Sequence, residues 1–202
     1  DERGEPWLAK FPSTEDRHDV GLWEFVTWKL AVAAGIQMPE ARLLPLSTRG
    51  HTFAVRRFDR TGASRCTYAS AKTLLDMESD GASYLDLAAV IEGQGARGTI
   101  ADGLEQMFRR AVFNVLVGNR DDHLRNHGFL WDPRLPGWRL SPLYDVLPRA
   151  SHATERFLHL GVGPQGRLAT LDNALATHAM FTLSKTDAAQ LMADVWKTVR
   201  EW

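Results

Sequence analysis

Along the first sixty residues the polar and apolar positions change spacing three times. Residues 7–11, WLAKF, alternate, with Trp7, Ala9 and Phe11 on one face and Leu8 and Lys10 on the other, which predicts a short strand. A polar link, PSTEDRHD, follows. From Val20 to Ala34 the apolar residues Leu22, Val26, Leu30, Ala33 and Ala34 recur at helical spacing, and Gly35 with Pro39 beyond it supplies a stop. ARLLPL and HTFAVRRF then predict two strands joined by the turn STRG. The polar DRTGASR after Phe58 is expected to end the sheet-forming part.

The later pattern is mainly helical. Leu104, Met107, Phe108, Ala111, Val112, Val115 and Leu116 form a long buried face, with Thr99 as a plausible N-cap and Gly118 as the end. HGFLW and GWRLSPL predict short strands joined by the proline-containing DPRLP. Two further helical patterns lie around TLDNALATHAMF and KTDAAQLMADVWKTV. A small antiparallel sheet with one helix, followed by a helical body with an inserted hairpin, predicts an α+β chain of two lobes. Their division falls near residue 60, into 1–60 and 61–202.

Composition narrows this little but usefully. A chain of 202 residues suits one domain or two closely packed lobes. With a net charge of −1 it presents no electrostatic case for nucleic acid or for an anionic membrane. The single cysteine, Cys66, excludes an internal disulfide framework and a cysteine-rich zinc site, which favours a reducing cytoplasm. No apolar run is long enough to span a bilayer, and the opening DERGEPWLAKF has neither a basic nor an apolar signal region, so a soluble cytoplasmic protein is expected. The chain lacks an initiating Met and reads as a fragment, or as a chain with its natural start removed.

The chemistry concentrates after the long helix, where FNVLVGNRDDHLRNHGFLWDP carries Asp121, Asp122, His123, Asn126 and His127. Phosphoryl transfer from ATP needs a carboxylate near the attacking hydroxyl, and an amide with a second carboxylate for Mg²⁺. Protein kinases space the first two as an Asp followed five residues later by an Asn, the spacing of Asp121 and Asn126. A second carboxylate belongs beyond a short hairpin, where SPLYDVLP places Asp145, with Tyr144 and Val146 at the Phe and Gly positions of a kinase. Lys10 in LAKF qualifies as the strand lysine for the phosphates, and Glu24 on the following helix can pair with it.

Together, WLAKFPS, GLWEFVTWKLAVAAGIQMPEARL, FAVRRFDR, FNVLVGNRDDHLRNHGFL and LSPLYDVLP resemble the HipA family of serine/threonine kinases, the toxins of bacterial HipA–HipB toxin–antitoxin pairs. The resemblance runs from Lys10 through the C-terminal helices. It implies a protein-kinase-like fold with a reduced N-terminal lobe and a mainly helical C-terminal lobe. ATP with Mg²⁺ would be the donor and a serine of a protein the acceptor, an aminoacyl-tRNA synthetase in the best-known members. A HipB-like DNA-binding antitoxin is the implied partner. Carried over by motif, Asp121 is the catalytic base, Asn126 and Asp145 are the metal ligands, and Lys10 contacts the phosphates. The chain around Arg57 and Phe58 is the implied hinge beside adenine. No glycine-rich loop precedes Lys10, since Gly4 is the only glycine in the nine residues before it, and an incomplete kinase is expected on that ground.

Other readings of the same residues stay open. Asp121, Asp122 and Asn126 suit helix caps and tight turns. His123 and His127 at i, i+4 have the spacing of a zinc pair but lack the Glu of H-E-x-x-H, and they are read as a loop-ordering hydrogen-bonder and a partly exposed residue. Asp122 is read as a brace of the loop. RHD at 17–19 with His123 and Asp121 suggests a metal-dependent phosphohydrolase, and a kinase-like scaffold serving as a non-catalytic binding module is a third possibility.

Overall fold

The alternating WLAK stretch forms β1 (Trp7–Lys10), the first helical pattern forms α1 (Val20–Ala33), and the predicted hairpin forms β2 (Ala41–Ser47) and β3 (Gly50–Arg56), in a computed structural model that describes residues 4–62, 64–149, 151 and 153–201. These strands make an antiparallel sheet of order β1-β3-β2, with Lys10 and Leu43 both opposite Phe53. Asp19 caps α1 by accepting from the Leu22 amide at 3.0 Å, and it also holds the His51 amide at 3.1 Å, which pins the helix start to β3. At Gly21 helix and strand touch through backbone, since a Cβ there would lie 2.2 Å from the His51 carbonyl oxygen.

The buried face of α1 differs from the expected one. Gly21, Glu24, Thr27, Leu30 and Ala31 face inward, whereas Leu22 and Trp23 are exposed. Apolar residues surround this helix, so periodicity alone selects no face, and the close approach at Gly21 decides it.

Sheet formation also continues past Phe58, contrary to expectation. A minimal hairpin, β4 (Arg60–Thr61) and β5 (Ser64–Arg65), is followed by β6 (Thr67–Ser70). The last of these pairs antiparallel with β7 (Gly128–Asp132), which pairs with β8 (Leu135–Leu140). TYAS is too short to show a period, and its partner strand is remote in sequence. Trp131 and Trp138 meet edge to face across β7–β8, centroids 5.4 Å apart.

The helical body contains α2 (Ala71–Leu75), α3 (Tyr84–Gln94), α4 (Ile100–Val117), α5 (Leu171–Leu175) and α6 (Lys185–Arg200). The sequence pattern did not single out α3, although a reciprocal capping box between Ser83 and Asp86 starts it. Along α4 the expected face is buried through Val115, and Gly118 closes the helix in the left-handed region at φ 70°. Thr99 stands at its N-cap, but the hydroxyl donates to the Ala96 carbonyl at 2.9 Å instead of capping an amide. The core gathers around α4 from α3, α6 and the irregular segments that hold Leu143, Val146 and Leu158. Among the described residues no helix is long and apolar enough to cross a membrane.

Candidate functional site

Strand β1, helix α1 and the segment after β8 bring three charges together. Lys10 Nζ donates to Glu24 Oε1 at 2.6 Å and to Asp145 Oδ1 at 2.5 Å. Glu24 is buried, at 5% exposure, whereas Lys10 and Asp145 are about half exposed. One cation between two anions gives the pair an asymmetry. Burial alone would lower the Lys10 pKa, yet attraction to both carboxylates leaves it raised. Burial instead raises the Glu24 pKa, and repulsion from Asp145 adds to that, so the single attraction of Lys10 does not reverse it. Asp145 adopts φ 59°, a left-handed conformation that costs a non-glycine residue about 1–3 kcal/mol and persists only where the surroundings enforce it.

The loop after α4 sorts its two aspartates. Asp121 is exposed and accepts from Arg149 Nη2 at 2.7 Å. Asn126, buried in the 3₁₀ turn Leu124–Asn126, donates through Nδ2 to the Asp121 carbonyl at 3.2 Å and so keeps its amide oxygen for other use. Asp122 is fully buried, and one oxygen, Oδ2, accepts from Tyr84 Oη at 2.6 Å, Asn114 Nδ2 at 2.9 Å and His127 Nε2 at 2.9 Å. Burial opposes its ionisation, but the charge and hydrogen bond of His127 and the Tyr84 hydroxyl outweigh it and hold the carboxyl below its ordinary value. This is the bracing role that the sequence suggested for Asp122.

His127 corrects the expectation of partial exposure, because the ring is completely buried between Asp122 and an edge-on contact with Tyr84 at 6.0 Å. Nor do His123 and His127 share a helix face, since they flank the 3₁₀ turn, and His123 meets His159 edge-on at 6.1 Å. Arg110 of α4 lies fully buried below the loop and donates through Nη2 to the Ser141 carbonyl at 2.6 Å. Burial pushes its pKa down to about 10.

Beside Lys10 opens a mostly apolar cavity of about 310 Å³, with Trp28, Met38, Phe53, Val55, Phe58 and Leu143 in its walls together with Lys10, Glu24 and Asp145. Its size and lining suit a flat heteroaromatic ring beside charged groups. Trp28 is held there by a 2.8 Å bond from its indole N–H to the Pro39 carbonyl and by stacking on Phe25. Arg57 also borders the cavity, but its guanidinium is occupied by a two-pronged bond to Asp59 at 2.8 and 2.6 Å. Phe58 sits 5.6 Å from the Tyr144 ring and 6.3 Å from that of Tyr68.

Of the residues singled out in the sequence, Lys10, Glu24, Arg57, Phe58 and Asp145 border this one cleft, whereas Asp121 and Asn126 lie on the adjoining loop and not in its wall. Tyr144 ties the two regions together, donating to the Arg125 carbonyl at 2.8 Å. Sequence reasoning passed over Tyr68, Trp28 and Arg149. Tyr68 and Arg149 meet partners remote in the chain, Tyr144 and Asp121, and only the LYD triplet gave a signal, through Tyr144.

Among the described residues no three His, Cys, Asp or Glu side chains gather in a way that would hold a metal by themselves. One carboxylate and one neutral amide instead match an ion that takes its other ligands from phosphate and water, as Mg²⁺ does. His18, needed for the phosphohydrolase reading, lies exposed in the link before α1.

Comparison with known proteins gives a consistent picture. The chain is 28% identical over 206 residues to Y4dM, a candidate kinase of Sinorhizobium fredii, covering 94% of this chain and 46% of that protein. With a candidate kinase of Haemophilus influenzae it shares 29% identity over 152 residues, covering 67% of this chain and 43% of that one. The chain therefore spans less than half the length of these curated relatives. HipA of Shewanella oneidensis, solved with HipB and operator DNA, superposes with a TM-score of 0.79 at 18% identity, over 96% of this chain and 50% of that chain. The Helicobacter pylori proinflammatory kinase CtkA superposes with a TM-score of 0.62 at 14% identity, over 98% of this chain and 86% of that one. The fold is thus the protein-kinase-like two-lobed α+β fold that the resemblance implied. A family model, the HipA-like C-terminal domain, matches residues 1–202, and the chain belongs to that family.

Proposed function

We propose that this chain is the catalytic region of a HipA-like protein kinase that transfers the γ-phosphate of ATP to a serine of a protein substrate. The observation that carries the reading is the contact of Lys10 with both Glu24 and Asp145 beside an apolar cleft. A lysine so held presents a fixed ammonium to phosphate oxygens, and Glu24 fixes its direction. In this reading residues 1–60 form the smaller lobe and residues 61–202 the larger. The chain around Arg57 and Phe58 serves adenine as a hinge, and the Arg57–Asp59 pair stiffens it.

Asn126 and Asp145 would hold Mg²⁺, whose charge offsets that of the phosphates when bound. Asp121 orients the acceptor hydroxyl and takes its proton. Because its carboxylate is exposed and, among the described residues, paired with the equally exposed Arg149, an incoming serine displaces a weak surface contact and not a buried one. The kinship with HipA adds two further proposals: an aminoacyl-tRNA synthetase as the protein substrate, and a HipB-like antitoxin as the partner that would contact DNA, in the cytoplasm.

The test follows radiolabelled γ-phosphate from ATP into protein acceptors, comparing the wild-type protein with Asp121→Asn. Transfer should fall by about 10²-fold or more while ATP affinity changes little, because Asn keeps the volume but cannot accept the proton. Undiminished transfer by Asp121→Asn rejects the base. Absence of nucleotide binding in the wild type rejects the kinase and leaves a kinase-like binding module.

A further inference from the structure

Tyr144 stands where protein kinases carry a phenylalanine, and its hydroxyl makes contacts that a phenylalanine cannot. It donates to the Arg125 carbonyl at 2.8 Å and lies 2.6 Å from the Tyr68 hydroxyl. A phenol has one proton to give. With that proton committed to Arg125, the short contact to Tyr68 requires Tyr68 to be the donor, so the relay runs from Tyr68 on β6 through Tyr144 to the loop backbone.

The placement of this relay is informative. Arg125 immediately precedes Asn126, and Tyr144 immediately precedes Asp145. One hydrogen bond, from the side chain of the residue before Asp145 to the backbone of the residue before Asn126, therefore links the segments that carry the two candidate metal ligands. Both sides need such a restraint. Asp145 is held in the left-handed region at φ 59°, and its carboxylate is drawn toward Lys10. Asn126 sits in a three-residue 3₁₀ turn, and its own side chain donates to the Asp121 carbonyl. Behind Tyr144 the ring is backed by Phe58, and the segment is pinned from below where Arg110 holds the Ser141 carbonyl and Leu143 donates to the Gln37 carbonyl at 2.8 Å.

We propose that the Tyr144 hydroxyl is a positioning group for the metal site: it fixes the distance between Asn126 and Asp145 in advance of Mg²⁺–nucleotide binding, with Tyr68 orienting it. The proposal rests on the assignment of those two residues to the metal and adds the group that sets their spacing. A ligand pair already at its working separation spends no binding energy on ordering, so loss of the hydroxyl appears in metal affinity.

The experiment is calorimetric titration of the protein with the non-hydrolysable ATP analogue AMP-PNP at a series of Mg²⁺ concentrations and without metal, for wild type, Tyr144→Phe and Tyr68→Phe. Loss of one hydrogen bond to a preorganised pair should raise the Mg²⁺ concentration for half-maximal enhancement by about tenfold in Tyr144→Phe, and by about threefold in Tyr68→Phe. Affinity for the analogue without metal should change less than this. A half-saturation unmoved in Tyr144→Phe, or equal losses with and without metal, overturns the proposal in favour of a purely structural role. Should Tyr144→Phe fail to fold, Tyr68→Phe decides, because that ring is 41% exposed and the change removes the hydroxyl that donates to Tyr144 while keeping the ring. If Mg²⁺ does not strengthen binding in the wild type, the metal assignment falls and this proposal falls with it; if it does and only the Tyr variants are silent, the assignment stands without the clamp.

Discussion

Two adjacent carboxylates, Asp121 and Asp122, occupy opposite environments, and each suits a different task. Asp121 keeps its oxygens at the surface, as the proposed base requires, whereas Asp122 spends one oxygen on three donors that fasten α3, α4 and the strand β7 entrance to a single point. Asp122→Asn keeps one oxygen for those donors but removes the charge and buries an NH2 group where Oδ1 meets no hydrogen-bond partner among the described residues, so it should cost about 3 kcal/mol or more, read from the urea midpoint. The pH dependence follows from the depressed carboxyl. Its stabilising contribution is complete above the unfolded value of 3.8 and is lost as pH falls through the lower folded value. Urea titrations below pH 3.8 should therefore narrow the gap between wild type and Asp122→Asn. A constant gap would show that the hydrogen bonds and not the charge matter. At the cleft, Lys10→Met keeps the stem but removes the ammonium, so Mg²⁺–ATP affinity should fall by about tenfold or more, checked by calorimetry.

Helix α1 shows how backbone contact sets side-chain chemistry. Gly21 lets the helix touch β3, and one turn later Glu24 points inward to Lys10. Gly21→Ala forces a methyl group against the His51 carbonyl, a backbone atom that cannot rotate away, and should destabilise the protein by about 1–3 kcal/mol. Since Glu24 moves with the helix, ATP affinity should fall as well, which separates this variant from Leu22→Ala on the exposed face. The same helix marks the limit of legibility in the sequence. Its existence and length were plain from Val20 to the Gly35 stop, but its inward face was not, because a helix apolar on all sides carries no phase. Strand β6 was missed for the related reason that TYAS makes sense only beside β7. The site divided along the same line. Spacing singled out Asp121, Asn126 and Asp145 as candidates, and chain order Lys10 and Glu24, of which the fold brings Lys10, Glu24 and Asp145 into contact. The Asp122 network, Arg149 and the Tyr68–Tyr144 relay depend on contacts between distant segments, and composition could not announce them.

At the scale of the whole molecule the cleft joins the two lobes at residues drawn from β1, α1, β3 and the segment after β8. A ligand gripping all four stabilises the folded chain by mass action, about 2.7 kcal/mol at a hundredfold excess over Kd. For a protein of this size that corresponds to a rise of roughly 5–10 °C in Tm, which Mg²⁺–ATP should produce and Mg²⁺ alone should not, measured by scanning calorimetry. Trp28 makes the same event visible without heating. Its indole lies in the cleft wall, with the N–H fixed to the Pro39 carbonyl and the ring plane fixed by Phe25. Of the seven tryptophans in the chain, Trp131 and Trp138 are paired with each other in the β7–β8 hairpin, while Trp23 and Trp196 face solvent on helices. An adenine ring entering the cavity would therefore quench or shift the emission of Trp28, giving the protein a built-in optical gauge of occupancy.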